Sequence, residues 1–259
     1  MIIGDDAICR RFVAVAQRFN GKLQLSFHQP THLQFDVELE AVRVRVLLMG
    51  EMVESQLQLA IKSLSNGDEA SVDRIIANDH LVNALEVEID ESCNRIITLR
   101  RPAANDLRFV MTALKTITDL ERIGDEAKKI ARMAKLQLHR DSLFLPRYTE
   151  IKLGAVLVLE MLHKSLDAFA RFDSTCVAQM VRKDEQLDKK YRAFLRYLVT
   201  FMISDPRTIS TALDILFVAK AIERIGDHAK NISEYVVYMV NGRDVRHVSV
   251  EEIEREVLS

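Results

Sequence analysis

The chain has 259 residues, 48% of them hydrophobic and 29% charged, with a formal net charge of −2. That much apolar material excludes a disordered chain and supplies a large core, while the near-neutral balance excludes a global basic field for nucleic acid or anionic lipid. Eight glycines, four prolines and no tryptophan leave few turn signals, so long helices are expected.

Residues 1–31 read as an N-terminal extension, because Asn20-Gly21 and Pro30 interrupt the short apolar pattern around Phe12 and Val15. From Leu39 the helical period is regular: Leu39, Val42, Val46, Met49, Val53, Leu57, Ala60 and Leu64 step by three or four. Asn66-Gly67 stops this first helix and Asp68 is placed to cap the second. The second carries Val72, Ile75, Leu85, Ile89, Cys93 and Ile96 and ends at Arg101-Pro102, since a residue before proline is pushed out of the helical region. The third runs from about Ala103 to Leu138, about 54 Å at 1.5 Å per residue.

HRDSLFLPR (139–147) connects to a second half, with the linker proper at 142–147. A fourth helix is expected over about 149–172 and a fifth over about 174–203. Asp205 and Pro206 are expected to open a sixth that Asn241-Gly242 ends, with a short helix at 250–257 in the tail 244–259. The expected architecture is all-α: two tandem, pseudo-symmetric, antiparallel three-helix bundles, 32–141 and 148–243.

The halves are an internal duplication. Glu-Arg-Ile-Gly-Asp-x-Ala-Lys-x-Ile stands at 121–130 and again at 223–232, an offset of 223 − 121 = 102. Each copy sets two acids four residues apart, Glu121 with Asp125 and Glu223 with Asp227, neighbours on one helical face that repel by roughly 0.2–0.5 kcal/mol. The middle helices carry a matching set, Asp79 with Asn83 and Asp184 with Asp188. Because the second and third helices of a bundle are antiparallel, these sets face one another across a groove, once per half.

Clustered carboxylates are hard ligands, suited to Mg²⁺, Mn²⁺, Ca²⁺ or iron and acceptable to Zn²⁺. The expected metal-binding residues are therefore Asp79, Asn83, Glu121 and Asp125 in the first half, and Asp184, Asp188, Glu223 and Asp227 in the second, with Asp119 and His228 as further candidates. Gly124 and Gly226, between the paired acids, leave room for an ion or bridging water. The competing reading is a metal-free scaffold in which Arg122 and Arg224 serve as counter-ions. A di-metal phosphatase or oxidase is a third reading, but Glu160-Met-Leu-His163 is a single ExxH without a counterpart in the other half. No Gly-rich phosphate loop, HExxH or GxSxG is present, so no catalytic residue and no organic cofactor site is assigned. Cys9, Cys93 and Cys176 have no CxxC spacing and read as reduced thiols. No apolar run reaches the roughly 18–20 residues of a membrane span, and the first residues lack a signal peptide's pattern.

Over about residues 32–248 the sequence resembles the PhoU family. ELEAVR (38–43), PAANDLR (102–108), LERIGDEAKKIAR (120–132), the stretch Leu166–Asp173 and IERIGDHAKNISEYVVYMVNGRDVRH (222–247) carry the likeness. The resemblance implies two three-helix bundles with metal clusters, of iron or zinc above all and of Mg, Mn or Ni as alternatives. It places them on the acids just named, with Asn83 departing from a strict acid motif. It further implies a non-enzymatic negative regulator of phosphate uptake and of the phosphate starvation (Pho) response. Such a protein is expected to be a cytoplasmic homodimer that stands between the ATPase of the phosphate ABC transporter and the sensor histidine kinase. It would associate peripherally with inner-membrane complexes, without membrane insertion or nucleic-acid binding.

Overall fold

The computed structural model describes residues 30–66, 69–138 and 148–258. These form seven α-helices: α1 Pro30–Asn66, α2 Glu69–Arg100, α3 Ala104–Leu138, α4 Tyr148–Arg171, α5 Val177–Ser204, α6 Ile209–Asn241 and α7 Val250–Leu258. The expectations for residues 1–29 and for the linker at 142–147 lie outside the described residues.

The helix ends follow local chemistry. Pro30, read above as an interruption, is instead the first residue of α1, where its fixed φ suits a helix and its missing N–H would have had no intrahelical acceptor. Arg101, at φ 49°, and Phe172, at φ 53°, turn left-handed immediately after α2 and α4. Asp205 accepts a hydrogen bond from the Arg207 backbone N–H and caps a 3₁₀ turn, Pro206–Thr208, so α6 begins three residues later than expected. Gly242, at φ 79°, ends α6 in the left-handed region that favours glycine, and the Arg108 guanidinium packs where a side chain would otherwise stand.

α1, α2 and α3 pack as one three-helix unit and α4, α5 and α6 as another. The most extensive helix pairing, however, is between the halves: α3 lies along α6, and α1 also touches α4. The pairing of α3 with α6 is antiparallel. Thr112 donates to the Tyr235 carbonyl at 3.4 Å, Asp119 meets His228 at 2.6 Å, and Arg224 reaches Glu126 at 3.1 Å. One continuous apolar cluster therefore includes Leu57, Ile89 and Leu120 from the first half with Leu162, Phe194 and Ile225 from the second. A smaller cluster under α7 joins Val177 and Val237 to Val245, Val250 and Ile253.

Two contacts fix the seam. The fully buried Phe169 ring of α4 stacks on Phe109 of α3 with centroids 6.0 Å apart. Arg43 of α1 donates to the Ala170 carbonyl of α4 at 2.6 Å. Phe169→Ala is expected to lower stability by about 3–5 kcal/mol, the usual cost of deleting a buried aromatic. Because the core is shared, urea unfolding of wild type and variant followed by circular dichroism should show one transition; two well-separated transitions would contradict a common core.

Candidate functional site

Each half has a groove between its second and third helices, and the duplicated motif lines it. In the first half Asp79 of α2, 7% exposed, and Asp125 of α3 share one cation. That cation is the motif's own lysine: Lys128 Nζ lies 2.6 Å from Asp79 Oδ2 and 2.7 Å from Asp125 Oδ1. Glu121 stands beside this trio, its carboxyl pushed above the ordinary glutamate range by burial and then by the charges of Asp125 and Asp79. Glu86 of α2 joins from the same side; burial raises its pKa first, and Glu121 next.

The second half repeats the plan. Asp184 of α5, 5% exposed, receives Lys230 Nζ at 2.7 Å on Oδ2, and the same ammonium lies 3.8 Å from Asp227. Burial pushes Asp184 up in spite of that ammonium, and it pushes Asp227 up together with the charges of Asp184 and Glu223. Burial also opposes the charge on Lys230, yet Asp184 and Asp227 hold its pKa above the ordinary lysine value. Glu223 is paired with Lys220 at 2.5 Å, and Asp188 with Arg192 at 3.3 Å. Asp184 Oδ1 is buried and has no hydrogen-bond partner. An orphaned carboxylate oxygen at that depth is costly.

The acids named from the sequence are thus brought to common grooves, with four corrections. The counter-ions are Lys128 and Lys230, not Arg122 and Arg224. Arg122 is exposed, and Arg224 crosses the seam to Glu126. Asp119 and His228 bond to each other between α3 and α6 and so brace the halves. Gly124 and Gly226 face packing neighbours: a Cβ on Gly124 would come within 3.2 Å of Gln56 Oε1 of α1, and one on Gly226 would strike Leu187. His163 of the lone ExxH meets Glu54 of α1 at 3.0 Å, another contact between the halves.

Glu86 is the site residue that spacing missed. Asp79, Asn83 and Glu86 fall at 0, 4 and 7 along α2, one face of a helix. Asn83 itself is exposed. Glu86 therefore restores a fourth acid to the half in which Asn83 replaces one. At the equivalent place in the second half, 86 + 105 = 191 by the offset 184 − 79, stands Tyr191.

The halves also differ beneath the groove. A cavity of about 270 Å³ opens among Gly154, Leu187, Tyr191, Phe194, Ala219 and Ile222. By the same offsets, Gly154 corresponds to Met49 and Ala219 to Ile117, both buried in the first-half core.

As the side chains stand, no group of three or more His, Cys, Asp or Glu among the described residues is placed to hold one metal ion. The ammonium groups are the cations that the acids hold here. The acidic donor set nevertheless suits a hard cation: carboxylates on two facing helices, the pKa raised at Glu86, Glu121, Asp184 and Asp227, and one buried oxygen without a donor.

A duplicated helical bundle with an acidic groove in each repeat defines a class, and comparison with known proteins identifies it. The PhoU domain matches residues 46–134 and again 151–236. The chain is 43% identical over 231 residues to the phosphate-specific transport system accessory protein PhoU homolog of Burkholderia sp, covering 87% of this chain and 96% of that one. It is 44% identical over 222 residues to the accessory protein PhoU of Escherichia coli K12, covering 86% and 91%. The crystal structure of PhoU from Pseudomonas aeruginosa superposes with a TM-score of 0.78 at 42% identity, over 81% of this chain and all of that one. That of the phosphate transport system regulatory protein PhoU from Streptococcus pneumoniae gives 0.74 at 29% identity, over 82% and 99%. The chain belongs to the PhoU family.

One further group near the second groove titrates in an accessible range. Glu234 of α6, 6% exposed, is pushed up to about 7 by burial, with Lys230 pulling the other way. A carboxyl whose folded pKa exceeds its unfolded one favours the folded state while protonated, so stability falls as pH rises from the ordinary glutamate value through about 7. Glu234→Gln should match wild type near pH 5 and exceed it by about 2 kcal/mol at pH 8 in urea titrations, somewhat less than the full linkage of 1.36 kcal/mol per unit.

Proposed function

We propose that this chain is the accessory regulator of a phosphate-specific transport system, a non-enzymatic adaptor that restrains phosphate uptake and the phosphate starvation response when phosphate is plentiful. The observation that carries the reading is the match itself. Both PhoU domains are present, and relatives carrying that accessory name align over most of their length at 43–44% identity. In this reading the protein acts in the cytoplasm as a homodimer. It contacts the transporter's ATPase and the sensor histidine kinase, and the state of the transporter decides which contact is favoured. No helix among the described residues is long and apolar enough to cross a membrane, which fits association through protein partners.

The acidic grooves are the second part of the proposal. Asp79, Glu86, Glu121 and Asp125 would hold one divalent or ferric ion or cluster, and Asp184, Asp188, Glu223 and Asp227 another, with Asn83 as a neutral oxygen donor. Iron or zinc is favoured by the family likeness. A bound cation would offset the repulsion among four carboxylates in each groove and supply a rigid, charged surface patch for a partner.

In a bacterium lacking its own family member, expression of this chain should restore repression of a phosphate-starvation promoter reporter in phosphate-rich medium. Continued full expression of the reporter would overturn the regulatory reading. The metal part is checked separately. After anaerobic purification, elemental analysis should find at least one ion per half, and the Asp184→Asn, Asp227→Asn double variant should lose about half of it; metal-free wild type would remove that part alone.

A further inference from the structure

The two motif lysines occupy the grooves in the same way. Lys128 and Lys230 are equivalent by the repeat, 230 − 128 = 102. Each rises from the third helix of its half and reaches a buried aspartate of the middle helix, at 2.6 Å to Asp79 and 2.7 Å to Asp184. Each also lies near the acid three residues before it, Asp125 or Asp227. One ammonium thus sits between carboxylates of two helices, where a dication's ligands would have to converge. It leaves the charge incompletely balanced: in the first half the one ammonium of Lys128 serves Asp79 and Asp125, with Glu121 beside them and Glu86 next to Glu121. In the second half it also leaves the buried Asp184 Oδ1 without a partner. Lysine is suited to a reversible role, because its charge is compact and its four-carbon stem swings, whereas a forked guanidinium would lock two carboxylates in place.

Resting on the metal reading above, we propose that Lys128 and Lys230 are tethered counter-ions that compete with the metal for the grooves. With the ion absent, each ammonium neutralises the buried aspartate and keeps the two helices paired. With the ion present, the ammonium swings out to solvent and the freed carboxylates close on the ion. The lysines therefore set the concentration at which the grooves load, and they make loading displace a side chain on the groove's outer edge.

The test titrates Mn²⁺ alone, which suits carboxylate ligands, into full-length metal-free protein by isothermal calorimetry. Lys128→Met and Lys230→Met keep the stem length and remove the charge. Lys183→Met is the control, since Lys183 pairs with Glu160 outside the groove at 2.7 Å. Each groove variant should bind Mn²⁺ about tenfold more tightly than wild type at its own half, as expected for loss of a charge-assisted competitor. The metal-free groove variants should also melt earlier than wild type, and the control should behave as wild type in both respects. If wild type binds and the groove variants bind equally or more weakly, the competition idea is overturned while the metal reading stands. If no protein binds, both fall. A second measurement covers variants that fail to fold. In wild type, saturating Mn²⁺ should raise acetic anhydride labelling of Lys128 and Lys230 severalfold over that of Lys152, read by mass spectrometry; unchanged labelling overturns the displacement.

Discussion

The antiparallel contact of α3 with α6 is the constraint on which the rest of the molecule depends. Those two helices carry the duplicated motif, and each serves two neighbours at once. Toward its own half, each supplies acids and a lysine to a groove; toward the other half, each supplies the seam. Asp119 and Glu126 are buried carboxylates that meet side chains of the opposite repeat, His228 at 2.6 Å and Arg224 at 3.1 Å. Breaking one of these pairs would take a partner from a buried carboxylate, a larger penalty than losing a surface ion pair, although Glu126 would keep Lys129 at 2.8 Å. The halves are duplicated in sequence but share one interior.

Much of this was legible in the residues. Helical period, the ends at Pro102 and Gly242, and the repeat offset located the six main helices and placed the paired acids of neighbouring helices side by side. What sequence could not tell was which side of a motif helix faces which neighbour. Asp119 and Asp125 look alike as acids near a motif, but six residues at about 100° each set them about a third of a turn apart, and one turns to the seam while the other turns to the groove. Arg224 was misassigned for the same reason. The lysines were visible, three residues after Asp125 and Asp227, a spacing that itself brings opposite charges together. Pro30 escaped because proline signals a break as readily as a first helical residue, and only the following three turns decide between them.

The grooves show how a fold can carry a local fault for a purpose. Burial, and after it the charge of neighbouring carboxylates, raises the pKa of Glu86, Glu121, Asp184 and Asp227. A sequence selected for stability alone would replace them with apolar residues of similar size. Their presence in both repeats, together with Glu86 beside Asn83, keeps four acids in each groove while the neighbouring packing has drifted, as Gly154 and Ala219 in place of Met49 and Ile117 show.

The opposed run of α3 and α6 has an electrostatic corollary. Each long helix carries a macrodipole of about half a unit charge at either end, and side by side in opposite senses the two largely cancel. Both acidic stretches lie in mid-helix, far from any terminus. The potential over the grooves is therefore written by side chains alone, so that movement of a single ammonium or arrival of a single ion is enough to reset it.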